Sequence, residues 1–273
     1  MNPVCYINGA YLPLSEAKIS IQDRGFRFGD GIFETIKVKD GGILYLEYHL
    51  ERMAEGIDIL KIPYSLLQLN KIFKKLIADN NLSEGFLRVS ITRGIGSIGY
   101  LPSSCDLKPS IIIEVISGLP DIAESASLYL SSWKKTPDSC VPSSIKTMQG
   151  LNSVLSRMEA QQNGCYDALL LSEDDIICEC SSSNIFWVKD DVLHTPSIDC
   201  GLVNGTIRRL LQTQKIIAFK EGKYKLSQLK NADCVFVTNI AWGILPIKQL
   251  QPKGWKWYVK PIINQLQDWL CQK

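Results

Sequence analysis

Several polar side chains stand where a solvated surface role does not explain them. Lys146 lies in Ser144-Ile145-Lys146-Thr147, just ahead of the periodic stretch Leu151–Gln162. An isolated lysine is ordinarily a solvated charge, but one near the start of an apolar helix in a cleft can lose its proton by desolvation and attack a carbonyl. Glu179 interrupts the strand-forming run Ile176-Ile177-Cys178-Glu179-Cys180. A carboxylate there either faces out from a half-exposed strand or meets a cationic partner. Arg52, three residues after His49, can grip an anion with two donors or serve as a surface helix arginine. Gly205-Thr206-Ile207 opens a predicted helix, whose leading N–H groups form an anion site.

Other features carry less. Gly94-Ile95-Gly96-Ser97-Ile98-Gly99 matches a dinucleotide fingerprint, yet Tyr100-Leu101-Pro102-Ser103-Ser104 follows where a helix should begin, and a residue before proline is biased away from helix. His49 and His194 lack ligand-spaced partners, so no metal site is expected, and helix packing suits His49. Trp133-Lys134-Lys135 reads as a solvated strand end. Cys178 and Cys180 face one side of a strand and read as buried thiols.

Positioning these groups falls to alternating strands and helices. In residues 1–118, strands are predicted near Val4–Leu12, Ile32–Val38, Ile43–Leu46, Phe86–Thr92 and Ser110–Ser117. Helical spacing covers Leu50 to Leu60 and Leu66 to Ile77. Gly118-Leu119-Pro120-Asp121 predicts a boundary with a short linker at 119–122. In 123–273, strands are expected near Ser127–Trp133, Tyr166–Leu171, Ile176–Cys180, Asn184–Val188 and Cys234–Thr238, and helices over Leu151–Gln162, Thr206–Gln212 and Pro261–Cys271.

The chain has 273 residues, 45% of them hydrophobic and 21% charged, with a formal net charge of +2. That balance gives no footprint for nucleic acid or an anionic membrane and favours a small-molecule partner. The N-terminus has no leader pattern, and the longest apolar run, Ile111 to Ile116, is broken by Glu114. A cytoplasmic location is therefore expected. Nine cysteines without a C-x-x-C pair fit reduced thiols.

Six segments in order resemble the class IV aminotransferase family: Arg24 to Thr35, His49-Leu50-Glu51-Arg52, Ser144 to Asn152, Glu179 to Phe186, Leu202 to Arg208, and Val237-Thr238-Asn239 with Gly243 to Ile247. The resemblance implies a mixed α+β fold of type IV in two domains, a smaller N-terminal α/β domain and a larger C-terminal β-barrel-like domain with helices. It implies pyridoxal 5'-phosphate bound to Lys146 as a Schiff base, Glu179 on the pyridine nitrogen, Arg52 on the phosphate, and a homodimer. Ser183, Asn184, Val203, Thr206, Ile207, Asn239 and Ile240 are implied as further cofactor contacts. The glycine-rich loop would lie over an amino substrate.

The family includes branched-chain aminotransferases, D-amino-acid aminotransferases and 4-amino-4-deoxychorismate lyase. Glu34-Thr35 resembles the lyase, in which a threonine at this place assists protonation. The Arg-x-His of D-amino-acid enzymes is absent, and Ile98-Gly99-Tyr100 stands where many lyases carry Arg-Gly-Tyr. Arg27, Arg93 or Lys134 would then have to receive the substrate carboxylates, with Tyr100 near the substrate. Pyruvate elimination is the expected reaction, with Lys146 and Thr35 as catalytic residues. Transamination is the alternative, and a non-catalytic binding protein on this fold a remote one.

Overall fold

A computed structural model describes residues 2–102 and 108–273. Ser103, Ser104 and Cys105 lie outside the described residues. The chain divides into two compact units, one of residues 1–119 with 145–149, the other of residues 120–144 with 150–273. The short stretch Ile145–Gln149, expected in the second domain, thus packs with the first.

The first unit is built on an antiparallel sheet. Its strands are β1 (Val4–Ile7), β2 (Ala10–Pro13), β3 (Gly31–Lys39), β4 (Gly42–Ile43), β5 (Gly85–Thr92) and β6 (Ser110–Ser117), ordered β2-β1-β6-β5-β3-β4. The single opening strand expected at Val4–Leu12 is a hairpin, because Asn8 and Gly9 both take positive φ and turn the chain. Helices α2 (Leu46–Leu60) and α3 (Leu69–Asp79) cover one face, on β3 and β1. Leu46, expected at the end of a strand, is instead the first residue of α2. Ile36, Leu87 and Val89 of the sheet and Phe73 of α3 are fully buried in the core between them. A short helix, α1 (Arg24–Phe28), starts where the Asp23 side chain accepts from Gly25 N at 2.8 Å.

The second unit holds a nine-stranded mixed sheet. Its strands are β7 (Ala126–Lys134), β8 (Asp167–Leu171), β9 (Ile177–Cys180), β10 (Asn184–Lys189), β11 (Val192–Pro196), β12 (Ala218–Gly222), β13 (Cys234–Asn239), β14 (Gly243–Gln251) and β15 (Trp255–Lys256). The order is β12-β11-β10-β13-β14-β7-β8-β9, with β15 on β14. Helix α4 (Leu151–Gln162) packs on the parallel pair β7 and β8, and α5 (Thr206–Gln212) on β13. Helix α6 (Leu226–Lys230) precedes β13, and α7 (Pro261–Cys271), opened by its proline, packs on β14. Leu128, Leu169, Trp187, Val237 and Leu245 form the core. Among the described residues, no helix is long and apolar enough to cross a membrane.

Candidate active site

Strand alternation gives β3 two chemical faces. Ile32, Glu34, Ile36 and Val38 are buried, whereas Phe33, Thr35 and Lys37 are partly exposed. The lysine segment lies along this strand. Phe33 N donates to Lys146 O at 3.0 Å, Met148 N donates to Gly31 O at 2.9 Å, and Ile32 bridges Thr147. Lys146 therefore sits in a segment bridged to β3 and not at a helix start, since α4 begins only at Leu151. A Cβ on Gly31 would come within 2.6 Å of Ile91 O and 2.9 Å of Met148 Sδ, so glycine permits this approach.

The bridging brings Lys146 Nζ to 4.1 Å from the Phe33 ring centroid. Arg88 Cζ lies over the same ring at 4.1 Å, and Arg88 Nη1 donates to Thr35 Oγ1 at 3.3 Å. Arg88 is the register partner of Thr35 across β3 and β5. Burial pushes the Arg88 pKa down, against Glu114 and Glu34, which raise it. Lys146, Phe33, Arg88 and Thr35 thus group together.

Behind that face, Glu34 accepts from Arg52 Nε at 2.5 Å and from Arg52 Nη2 at 2.8 Å, and it sits 2.8 Å from His49 Nδ1. Burial alone would raise the carboxyl pKa, but the Arg52 charge and the His49 hydrogen bond bring it down to about 2. His49 does more than pack its helix: it is a buried member of this cluster, and its Nε2 has no partner. Arg52 is likewise buried, not a surface helix arginine.

The arginines singled out for substrate are distributed otherwise. Arg93 donates to both Asp30 oxygens at 2.8 and 3.0 Å and to the carbonyls of Lys61 and Leu60 at 2.9 and 2.6 Å. It is a buried bracket and not a carboxylate receptor. Arg24 joins it on Asp30 at 2.8 Å and grips Gly99 O and Tyr100 O at 2.9 and 2.7 Å. Arg27 Nε donates to Ile21 O at 3.0 Å, and Tyr100 is exposed, its ring 5.4 Å from that of Phe28. Lys134 pairs with Asp175 at 2.5 Å. The glycine-rich loop passes through bends after Gly94, and no helix starts within residues 94–102.

In the second unit, Glu179 is buried on β9. Its Oε1 accepts from Lys135 Nζ at 2.5 Å, and its Oε2 from Asn184 Nδ2 at 3.2 Å and Val203 N at 3.1 Å. Lys135 is therefore not a solvated strand end. Three donors leave room for one more on a carboxylate, which offers about four lone-pair sites. Gly205 lies so close to Asn184 that a Cβ would meet its Oδ1 at 2.2 Å. Nearby hydroxyls converge on buried Asp167: Ser181, Ser182 at 3.2 Å and Ser183 at 3.1 Å, with Arg157 as its ion-pair partner at 3.3 Å.

Two hydroxyls in this unit, Thr206 Oγ1 at the start of α5 and Thr238 Oγ1 on β13, are buried without a partner. Such orphans cost roughly 1–3 kcal/mol each unless a ligand serves them. Ile207 is buried beside Thr206, and Asn239, just after Thr238, donates to Ser182 O and accepts from Ala241 N at 2.9 Å, with Ile240 between. Orphan hydroxyls suited to an anion and a carboxylate open to one more N–H fit a phosphorylated pyridine. Among the described residues, no group of three or more His, Cys, Asp and Glu side chains is arranged to hold a metal.

Residues 31–250 match the family model for amino-transferase class IV. A putative branched-chain-amino-acid aminotransferase of Methanocaldococcus jannaschii is 30% identical over 251 residues, 90% of this chain and 87% of that protein. The chain belongs to the class IV aminotransferase family. As such it is a pyridoxal-phosphate-dependent aminotransferase or lyase with a mixed α/β, type IV fold. An aminodeoxychorismate lyase of Bacillus subtilis is 29% identical over 255 residues, 90% of this chain and 86% of that one. The crystal structure of 4-amino-4-deoxychorismate lyase from Pseudomonas aeruginosa superposes with a TM-score of 0.86 at 28% identity, covering 98% of each chain.

Sequence reasoning missed Arg88, Lys135 and the Glu34 cluster. Arg88 did leave a signal, as a lone cation in the apolar strand Phe86-Leu87-Arg88-Val89.

Proposed function

We propose that this class IV enzyme eliminates pyruvate from 4-amino-4-deoxychorismate to leave 4-aminobenzoate. The observation that carries this reading is Thr35 Oγ1, on the face of β3 shared by Phe33 and Lys146 and held by Arg88 at 3.3 Å. Phe33 and Thr35 are successive residues on that face, about 7 Å apart along the strand. A hydroxyl so held can give a proton to a departing group within reach of the lysine amine.

The bound cofactor supplies an electron-withdrawing ring that takes up charge left at the substrate carbon. Lys146 Nζ would hold the cofactor through its aldehyde and would remove the proton at the substrate's amine-bearing carbon. Glu179 receives the ring N–H, with Asn184 and Val203 N keeping its Oε2 in place. Ser183 steadies the loop before Asn184 through Asp167. Arg52, Thr206, Ile207, Thr238, Asn239 and Ile240 serve the phosphate. Arg88 binds a substrate carboxylate, the task for which Arg93 and Lys134 are already engaged elsewhere.

A second reading, amino-acid transamination, is favoured by the apolar Phe33 ring beside Lys146 and by exposed Ile98 in the loop. Single-substrate turnover separates the two. A lyase releases 4-aminobenzoate and pyruvate continuously without an oxo acid, because elimination has a single substrate. A transaminase stops after one half-reaction. Thr35→Ala should slow the elimination by roughly 10²–10⁴-fold. Sustained exchange between an amino acid and 2-oxoglutarate with no 4-aminobenzoate would sink the lyase reading.

A homodimer is also proposed, supported by exposed Ile21 and Phe26, just before and within α1, and by exposed Ile98, Tyr100 and Leu101 of the glycine-rich loop, the two segments joined by the Asp23–Ile95 bridge. Light scattering of the purified protein at the monomer mass would refute it.

A further inference from the structure

Lys134 and Lys135 are neighbours with opposite fates. Lys134 pairs with a largely exposed Asp175, whereas Lys135 turns inward, its side chain 14% exposed, to Glu179 Oε1 at 2.5 Å. Burial works against the Lys135 charge, but Glu179 outweighs it, aided by Cys178 and Asp138, so the amine pKa stands above its ordinary value. Asn184 and Val203 N also bond Glu179 and the field of Arg208 from α5 reaches it, while the thiols of Cys178 and Cys180 flank it on the opposite face of β9, with Cys200 beyond Cys178. Burial raises both the Cys178 and the Cys180 pKa. Glu179 therefore faces two cations, and only Lys135 bonds it directly.

We propose that Lys135 is a positioning residue that shares the charge of the Glu179 carboxylate through its contact with Oε1 and so lowers the pH at which the cofactor's pyridine nitrogen gives up its proton. This rests on the assignment of Glu179 to that nitrogen. A carboxylate that shares its charge with an ammonium stabilises a pyridinium less than one that does not. Oε2 is fixed independently by Asn184 and Val203 N, so removing Lys135 takes away the counter-charge while two of three restraints on the carboxylate remain. Electrostatics then predicts a pyridine nitrogen that holds its proton to higher pH. Loss of orientation alone predicts the reverse.

The test uses holoenzyme loaded with pyridoxal phosphate labelled with ¹⁵N in the ring, following the ring-nitrogen chemical shift against pH. Lys135→Met should keep the ring protonated to a pH about one unit above the wild-type midpoint. Lys135→Arg should return it to the wild-type value. Lys135→Gln, which keeps a donor without charge, should behave like Lys135→Met and serves if that variant fails to fold. Deprotonation of the Met or Gln variant at the wild-type pH or below, with Glu179→Ala shifting the curve downward, overturns the role of Lys135 alone. An unchanged curve in Glu179→Ala overturns the Glu179 assignment as well.

Discussion

Glu34 and Arg52 are joined by two hydrogen bonds of 2.5 and 2.8 Å between β3 and α2, and His49 closes the group from the same helix. The carboxyl titrates near 2 instead of 4.5. A depressed carboxyl contributes stability that is fully present above its unfolded value and is lost as pH falls through the folded one. The loss therefore runs from about pH 4.5 down to about 2, and a shift of that size corresponds to something on the order of 3 kcal/mol. Urea unfolding midpoints measured from pH 6 to pH 2.5 should decline across this window. Glu34→Gln should flatten that decline and, by leaving Arg52 buried without its counter-charge, lower stability at pH 7 by roughly 3–5 kcal/mol. A variant as stable as wild type would show that the cluster is not integral to the first unit.

Lys146→Ala should leave the fold intact, because the bridging to β3 is made by backbone groups of Gly31, Phe33, Lys146 and Met148. Borohydride reduction of the wild type should add cofactor mass to the peptide containing Lys146, and the variant should take up none. Turnover should fall by roughly 10²–10⁴-fold or more. Stable mass addition at another lysine of the variant would reassign the linkage.

Arg88→Ala should raise KM for the amino substrate and, by releasing Thr35 Oγ1, lower kcat as well. A hydrogen bond to a charged group contributes roughly 1.5–3 kcal/mol, or about 10–150-fold. Arg93→Ala should instead reduce stability, since it takes two hydrogen bonds from Asp30, leaving it with Arg24, and one from each of two carbonyls inside the first unit. Equal KM effects from both variants would erase the distinction between receptor and bracket.

Native-state alkylation at pH 8 should label Cys140 and Cys271, the exposed thiols among the described residues, and spare Cys178, Cys180 and Cys200. Burial pushes the Cys178 thiol up to about 12, with Cys200 and Glu179 adding to it against Lys135, so its thiolate is scarce at that pH. Peptide mass spectrometry after brief exposure to iodoacetamide reads this directly.

Legibility from sequence followed the range of each interaction. Lys146 and Glu179 could be singled out because their peculiarity is local, an amine ahead of a periodic helix and a carboxylate inside a strand. Arg93 could not be told from a receptor, because Asp30 consumes it from 63 residues away, a separation that no window spans. Lys135 was hidden in a Lys-Lys pair, and only the strand end decides which of the two turns inward. Strand β11 escaped notice because its hairpin turns on Asp190-Asp191, both at positive φ, and not on an asparagine or aspartate followed by glycine. Strand β14 was obscured by Pro246. That residue lies opposite Phe236 in the β13 pairing, just before the β7 pairing begins at Ile247, in a position where proline argues against a strand.

The placement of Ile145–Gln149 in the first unit has a consequence for biosynthesis. The sheet of that unit is spelled out by residue 119, but the stretch that bridges β3 is 30 residues further on, from 119 to 149. At the usual 5–20 residues per second of translation, those 30 residues take roughly 1.5–6 s. During that interval β3 waits on the nascent chain without its bridging neighbour, and the segment bearing the lysine is the last piece of the first unit to be made.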